Sequence, residues 1–314
     1  YPTAREHHFL FLQGLRSPFF WRLGKALSEQ GARVTKVNFT GGDHLYWPGA
    51  ARRCKVAEPG LADYYARLLS GADFTDVVLF GDCRPVHQPA IAQAKSLGLR
   101  VHVFEEGYFR PDWVTLERDG VNANSLLPRD PQWYEQVKNT VASTGRPATV
   151  GPSMTQRVLH DVAYNAGNLL NPVFYRDYNS HVPHSIPAEY WGYIKRYVRV
   201  HATRDRDHAT VKRLCSPGTT HQPFFLVALQ VPGDSQLTVH SPYGSSQAFL
   251  AEVFDSFAQH ADKSCLLVVK SHPLDPGLEK NPQIVALLAK QHQISDRVVF
   301  LDSGNLPELL EHAQ

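Results

Sequence analysis

The chain has 314 residues, 43% of them hydrophobic, which is enough for two domains of ordinary size, each with its own core. With 32 Lys and Arg against 30 Asp and Glu, the formal charge of +2 does not call for nucleic acid, although 16 histidines and scattered arginines can meet a phosphate or an anionic head group. No apolar run approaches the roughly 20 residues that would cross a bilayer, which leaves no case for an integral membrane protein of the helical kind.

In chain order, HHFLFLQG (7–14) reads as a short strand stopped by glycine, and SPFFWRLGKALSEQG (17–31) as a helix with Pro18 in its first turn and Gly31 past its end. The step repeats. ARVTKVNF is a second strand, ADYYARLLSG a helix, DVVLFGD a third strand, PVHQPAIAQAKSLG a helix and RVHVFEEG a fourth strand. Strands that are apolar nearly throughout, alternating with helices, imply a parallel sheet covered on both faces. Residues 1–130 are therefore expected to form one doubly wound, Rossmann-like lobe. Over 131–217 the alternation gives way to tyrosine-rich amphipathic stretches, TQRVLHDVAYNAGNLL and AEYWGYIKRYVRVHATRDRDHATVKRL, which are expected as bridging helices. From 218 to 314 the rhythm returns: QPFFLVALQ, SCLLVVKSH and DRVVFLD as strands, SSQAFLAEVFDSFAQHA and PQIVALLAKQH as helices, and a last helix begun in NLPELLEHAQ. The expected class is α/β with two such lobes, a GT-B-like arrangement whose carboxyl lobe looks unfinished. Ligands in such sheets gather at the carboxyl ends of the strands.

Three strand ends carry chemistry. RVHVFEEGYFRPDW sets Glu105, Glu106 and Gly107 at the end of an apolar strand, where two close carboxylates would push one pKa upward and make a proton-exchanging group; a solvated loop with a capping acid fits equally well. QVPGDSQLTVHSPYG places Asp234, Ser235 and Gln236 on a turn after a strand. An acid there can attack an anomeric carbon, and an Asx-turn or helix cap is the plainer account. Ser241, Tyr243, Ser245 and Ser246 either add hydroxyls for a phosphate or start the next helix. In VVKSHPLDPG, Pro273 stops the strand, and His272 can hydrogen-bond a departing phosphate with Lys270 and Ser271 nearby.

Other signals are weak. There is no G-x-G-x-x-G after the first strand, no P-loop and no G-x-S-x-G. Asp205-Arg206-Asp207 spells a metal-binding D-x-D, but among Arg204 and His208 it reads as a solvated helix face. His7-His8 reads as a strand-end polar pair or a tag remnant. Cys54, Cys83, Cys215 and Cys265 make no C-x-x-C pair and are expected as single buried thiols. No metal or other cofactor is expected, and a cytoplasmic location is, since no secretory pattern opens the sequence; the absence of methionine at Tyr1 leaves a removed leader open.

Taken together, FLQGLRSPFFWRLGKAL, VFEEGYFRPDWVTLERDGVN, ALQVPGDSQLTVHSPY and VKSHPLDPG resemble the capsule-synthesis β-Kdo glycosyltransferases of Gram-negative bacteria, in order and over nearly the whole chain. The resemblance implies an enzyme peripheral to the inner membrane, within a capsule synthesis and export complex. It would take Kdo from CMP-β-Kdo and place it, with retention, on a phosphatidylglycerol-type lipid. It makes Asp234 the candidate nucleophile and His272-Pro273 the CMP-phosphate element, with Lys270, Ser271, Ser235 and Gln236 around the donor. Glu105-Glu106-Gly107 is similar to the acid-acid-glycine motif that supplies a general base in bacterial sialyltransferases, with Glu106, next to the glycine, favoured. In that family a serine- and threonine-bearing nucleotide loop would follow LPELLEHA, beyond Gln314. A CMP-sialic-acid-dependent transferase and a non-catalytic export scaffold remain alternatives. All the named acids and His272 are expected to line one cleft.

Overall fold

The computed structural model describes residues 6–107, 113–140, 154–178, 184–216 and 222–314. The chain divides into two compact units, Tyr1–His181 and Val182–Gln314. The helices expected over 131–217 are shared between them.

In the first unit, strands β1 (His8–Phe11), β2 (Arg33–Asn38), β3 (Arg52–Arg53), β4 (Asp76–Phe80), β5 (Arg100–Glu106) and β6 (Val114–Arg118) form one sheet in the order β3-β2-β1-β4-β5-β6. All neighbours are parallel except β5 and β6, which run antiparallel. Helices α1 (Phe19–Glu29), α2 (Gly41–Leu45), α3 (Leu61–Ser70) and α4 (Gln88–Ser96) connect the parallel strands, and α5 (Pro131–Val137), α6 (Met154–Asn168) and α7 (Asn171–Phe174) follow the sheet. Alternate residues of each strand point to opposite faces. Leu10, Val77, Leu79, Val101 and Val103 pack on Tyr65 and Leu68 of α3 and Ala90 and Ala94 of α4. Phe11, Val78, Phe80 and Phe104 pack on Phe20 of α1 and on Trp47. Both faces are thus covered, as a parallel sheet requires. Strands β3 and β6 go beyond the expected elements. β3 has only two residues, and β6 is an edge strand whose residues are exposed or half-buried, so neither carries the apolar run that marks the others.

The amino edge of this sheet is closed by a charged cluster. The buried Asp76 carboxylate accepts bonds from His7 Nδ1 (2.8 Å), His102 Nε2 (2.7 Å), Arg100 Nε (2.7 Å) and Thr75 Oγ1 (2.6 Å). Burial alone would raise its pKa, but the bonds from His102, Arg100, Thr75 and His7 outweigh burial and hold the carboxyl well below the usual range. His8 pairs with Asp73 at 3.0 Å and with Thr35 at 2.9 Å. His7 and His8 are therefore a strand-end polar pair.

In the second unit, β7 (Phe224–Ala228), β8 (Leu266–Lys270) and β9 (Val298–Leu301) form a parallel sheet in that order. Helix α8 (Ile186–Cys215) precedes it, and α9 (Ser235–Thr238), α10 (Ser246–His260), α11 (Asn281–Gln291) and α12 (Leu306–His312) lie between and after the strands. Leu267 and Val269 face Leu250 and Phe254 of α10 and Val285 and Leu288 of α11. Leu266 and Val268 face Val211 and Leu214 of α8 and Leu309 of α12.

Cys54, Cys215 and Cys265 are buried, whereas Cys83 is only half-buried, its thiol pushed up to about 12 by burial and by Asp82 beside it. Among the described residues no helix is long and apolar enough to cross a membrane.

Candidate active site

The carboxyl edge of the second sheet brings two of the candidate residues together. Ala228 and Lys270 are register partners at the ends of neighbouring parallel strands, and the Leu229 amide donates to the Lys270 carbonyl at 2.9 Å. The loops bearing Asp234 and His272 therefore leave the same edge side by side. Gly233, at φ 79°, turns the backbone in a way that side-chain-bearing residues resist. Asp234 then caps α9, its Oδ1 accepting from the Gln236 amide at 2.9 Å. Asp234 Oδ2 accepts no hydrogen bond among the described residues, so the cap fixes the half-buried carboxylate and leaves one oxygen for other chemistry. Ser245 caps α10 through the Ala248 amide (3.2 Å), Ser246 is buried in its first turn, and Ser241 donates to the Leu237 carbonyl. Ser245 and Ser246 thus start α10, while Ser241 closes back onto the end of α9.

His272 Nδ1 accepts from the Leu274 amide at 3.0 Å. An imidazole nitrogen that accepts carries no proton, so the proton sits on Nε2, the form a phosphate acceptor needs. Pro273 beside it is exposed. Lys270 and Ser271 are buried. Lys270 Nζ donates to the Ser271 carbonyl (3.2 Å), with its pKa lowered by burial and by Arg196, and Ser271 Oγ donates to Asp275 Oδ2 at 3.2 Å. Ser271 Oγ is thereby turned inward onto the loop, and the buried Lys270 Nζ spends one of its three donors on the loop's backbone.

Helix α8 grips the loops that follow β8 and β9. Arg196 donates to the carbonyls of Pro273 (3.1 Å) and Asp275, and Tyr193 donates to that of Leu274 at 3.2 Å. Arg199 forks onto Asp302, just past β9, with Nη2 to Oδ1 at 2.8 Å and Nε to Oδ2 at 3.1 Å. Asp207 Oδ2 accepts from the amides of Asp302 (3.0 Å) and Ser303 (3.1 Å). Asp207 is thus fully buried and structural, not part of a solvated face, while Asp205 is exposed. Residues two apart on a helix do not face each other, so this D-x-D does not form a metal pair.

In the first unit, Glu105 and Glu106 are the last residues of β5, paired with Thr115 and Val114 of β6. Strand alternation sends them to opposite faces, Glu105 with Val101 and Val103, Glu106 with His102 and Phe104. The expectation of two carboxylates crowding each other gives way to a different cause. Burial is the largest reason the Glu105 pKa is raised, and Glu106 is a lesser one. A Cβ at Gly107 would overlap the Trp113 carbonyl, so the glycine after the acids is what lets β5 and β6 close. The strand order reverses between β1 and β4, the point where doubly wound sheets bind ligands. Arg84 spans it, donating to Gln13 Oε1 (3.2 Å) and to the Gly14 carbonyl (3.1 Å). Gln13 in turn donates to the hydroxyls of Tyr164 and Tyr178, both at 3.3 Å. Beneath them Lys36, fully buried and lowered to about 8 by that burial, donates to the carbonyls of Leu12 and Val37 at 2.7 Å. Arg84 Nε and Glu105 Oε2 both lie 3.6 Å from where a Gly81 Cβ would stand.

The family model described as "Capsule polysaccharide biosynthesis protein" matches residues 75–314. The chain belongs to this family. Capsule polysaccharide export protein KpsS of Escherichia coli is 32% identical over 307 residues, covering 98% of this chain and 78% of that protein. Capsule polysaccharide modification protein LipB of Neisseria meningitidis serogroup B is 31% identical over 318 residues, 97% of this chain and 74% of the relative. In this capsule polysaccharide biosynthesis protein, Gln13, Arg84, Tyr164 and Tyr178 were not singled out by reading the sequence. A glutamine ending an otherwise apolar strand was the one available signal; the arginine and tyrosines gain meaning only when the fold gathers them.

Proposed function

We propose that this member of the capsule family acts in capsule assembly as a retaining β-Kdo transferase. It takes Kdo from CMP-β-Kdo to a phosphatidylglycerol-type lipid at the inner membrane, with a GT-B-like division of donor and acceptor between its units and no divalent metal in the chemical step. The carrying observation is the pairing of Asp234 and His272 on adjacent loops of one parallel carboxyl edge, with Asp234 Oδ2 open and the His272 proton on Nε2.

In the first displacement Asp234 Oδ2 attacks C2 of Kdo. The C2–O bond to the phosphate breaks, its electron pair leaves on CMP, and His272 Nε2–H stabilises the departing charge. Ser235, Gln236 and Pro273 border the donor. In the second, the acceptor hydroxyl gives its proton to a glutamate and attacks C2 from the opposite face, and the C2–O bond to Asp234 breaks, restoring the carboxylate. The half-buried, raised Glu105 suits that base better than Glu106, since a base must hold a proton near neutral pH.

The test is to supply CMP-Kdo made in place, with a fluorescent phosphatidylglycerol analogue, and weigh the product. A single added Kdo that survives EDTA and vanishes in Asp234→Ala supports the reading. Transfer from CMP-sialic acid alone would make the donor a different 2-keto sugar, and no product from either donor would favour a scaffold.

A further inference from the structure

Helix α8 has a second face. Its inner side carries Gly192, Arg196, Asp207, Val211 and Leu214, all buried. On the outer side, Trp191 is 57% exposed, Ile194 55%, Tyr197 65% and Val198 64%. Spacings of three, three and one put these four on one stripe of the helix surface. Large apolar residues so exposed are ordinary singly, but a run of them on successive turns marks a contact surface. Lys195 lies over the Trp191 ring, 5.4 Å from its centroid.

The stripe leads into a groove of about 720 Å³ between the second half of α8 and the loop after β9. His201, Arg204, His208 and Lys212 line it from the helix, opposite Ser303, Asn305 and Glu308. Of the seven Lys and Arg on α8, Arg196, Arg199 and Arg206 are bonded to the second unit's own acceptors. Arg204 and Lys212 have no carboxylate partner among the described residues, and neither has His208. The groove thus sets Arg204, His208 and Lys212, none in an ion pair among the described residues, against a single carboxylate, Glu308, next to an apolar stripe.

We propose that this outer face of α8 docks the protein on an anionic phospholipid bilayer, the aromatic and aliphatic stripe entering the head-group boundary and the groove cations meeting lipid phosphates. A helix lying in the interface needs both parts, an apolar face and cations beside it. A second copy of the chain fits poorly. Two such helices packed in parallel set cation on cation, and packed antiparallel they bury each cationic half against an apolar one. The docking surface rests on the proposed reading only in that a lipid acceptor brings the chain to a membrane; stripe and groove stand without it.

Co-sedimentation decides it. Vesicles of phosphatidylcholine containing 30% phosphatidylglycerol, a composition chosen to be roughly that of an anionic leaflet, should bind the protein at least about tenfold more tightly than pure phosphatidylcholine at low salt. Trp191→Ser with Ile194→Ser should lower partitioning to both vesicles. Arg204→Gln with His208→Gln and Lys212→Gln should remove the preference for anionic lipid and most of the salt dependence. Because the substituted side chains are exposed, circular dichroism melts of both variants should match that of the wild type. Equal binding to both vesicles, unaltered binding by either variant, or light scattering that shows the stripe variant dissociating a dimer would each overturn the proposal. Transfer to a short-chain, water-soluble acceptor should be unchanged in both variants. Failure of docking would thus leave soluble transfer intact, and failure of the transferase reading would leave vesicle binding intact.

Discussion

Arg196 donates to the carbonyl of Pro273 at 3.1 Å from a helix that precedes the whole sheet, so the His-Pro turn is held by a side chain 77 positions upstream. The same guanidinium reaches the Asp275 carbonyl. Arg196→Ala leaves both carbonyls, of which that of Asp275 is buried, without a charged donor and should cost about 2–4 kcal/mol. Urea denaturation measures the loss. Arg196→Lys should restore less than half of it, because both bonds come from Nη1, whose two protons are aimed by the rigid guanidinium plane, whereas a lysine ammonium ends on a flexible stem of different length. Full rescue by lysine would show that charge alone matters there.

Gly192 tests the same contact from the helix side. Alanine in place of a mid-helix glycine gains about 1 kcal/mol in helix propensity. Here a Cβ would overlap the Pro276 carbonyl and stand 2.9 Å from Leu278 Cδ2. Backbone cannot yield as a flexible side chain can, so overpacking, at about 1–3 kcal/mol, should win. Gly192→Ala is expected to lower Tm; a raised Tm would mean that α8 packs less closely on the loop.

Asp76 sets an acid limit on stability. Its folded pKa lies below the unfolded value, so its contribution is fully present above about pH 4 and is lost as pH falls through the folded value. Stability of the wild type should fall steeply below about pH 4. Asp76→Asn, which cannot ionise, should be less stable at pH 7, because Arg100 loses its partner, and should show a flatter acid limb. Thermal melts across pH 2.5–7, about the range in which carboxylates titrate, would reveal parallel curves if the cluster were unimportant.

The two glutamates can be separated by isosteric change. Glu105→Gln should reduce kcat by roughly 10²–10⁴, the usual weight of a positioned base. Glu106→Gln, on the other face of β5, should reduce it far less. The acidic limb of the wild-type pH profile should lie above the ordinary carboxylate range, following the raised Glu105. Equal losses in both variants would return the assignment to the pair.

Much of the fold was legible because it follows period and punctuation. The buried strands β4 and β8 are uninterrupted apolar runs up to Phe80 and Val269, and α1 is bracketed by Pro18 and Gly31 as its sequence announces. The exposed β6 was not, since nothing in VTLER demands burial. At the candidate site, the turn around Asp234 and the placement of His272 were readable from glycine and proline. That Lys270 and Ser271 are buried was not readable, because adjacency along a strand end says nothing of direction. Asp207 misled outright. A charged residue among charged neighbours reads as solvated, and only the carboxyl end of β9, 95 positions away, supplies the amide that buries it.

The strand order also dictates how the two sheets can assemble in time. β7, β8 and β9 pair in the order in which they are made, each with the next. β1 sits at the centre of its sheet, and its contact with β4 joins Phe9 to Asp76. Pairing between such distant positions must wait for the intervening chain and carries the larger loop-closure entropy. During synthesis the first strand therefore emerges apolar and unpaired on one side, with β2 as its earliest neighbour. Refolding from denaturant should be slowest where β1 meets β4, and a chaperone that shelters Phe9, Leu10 and Phe11 would shorten that wait more than one acting on any strand of the second sheet.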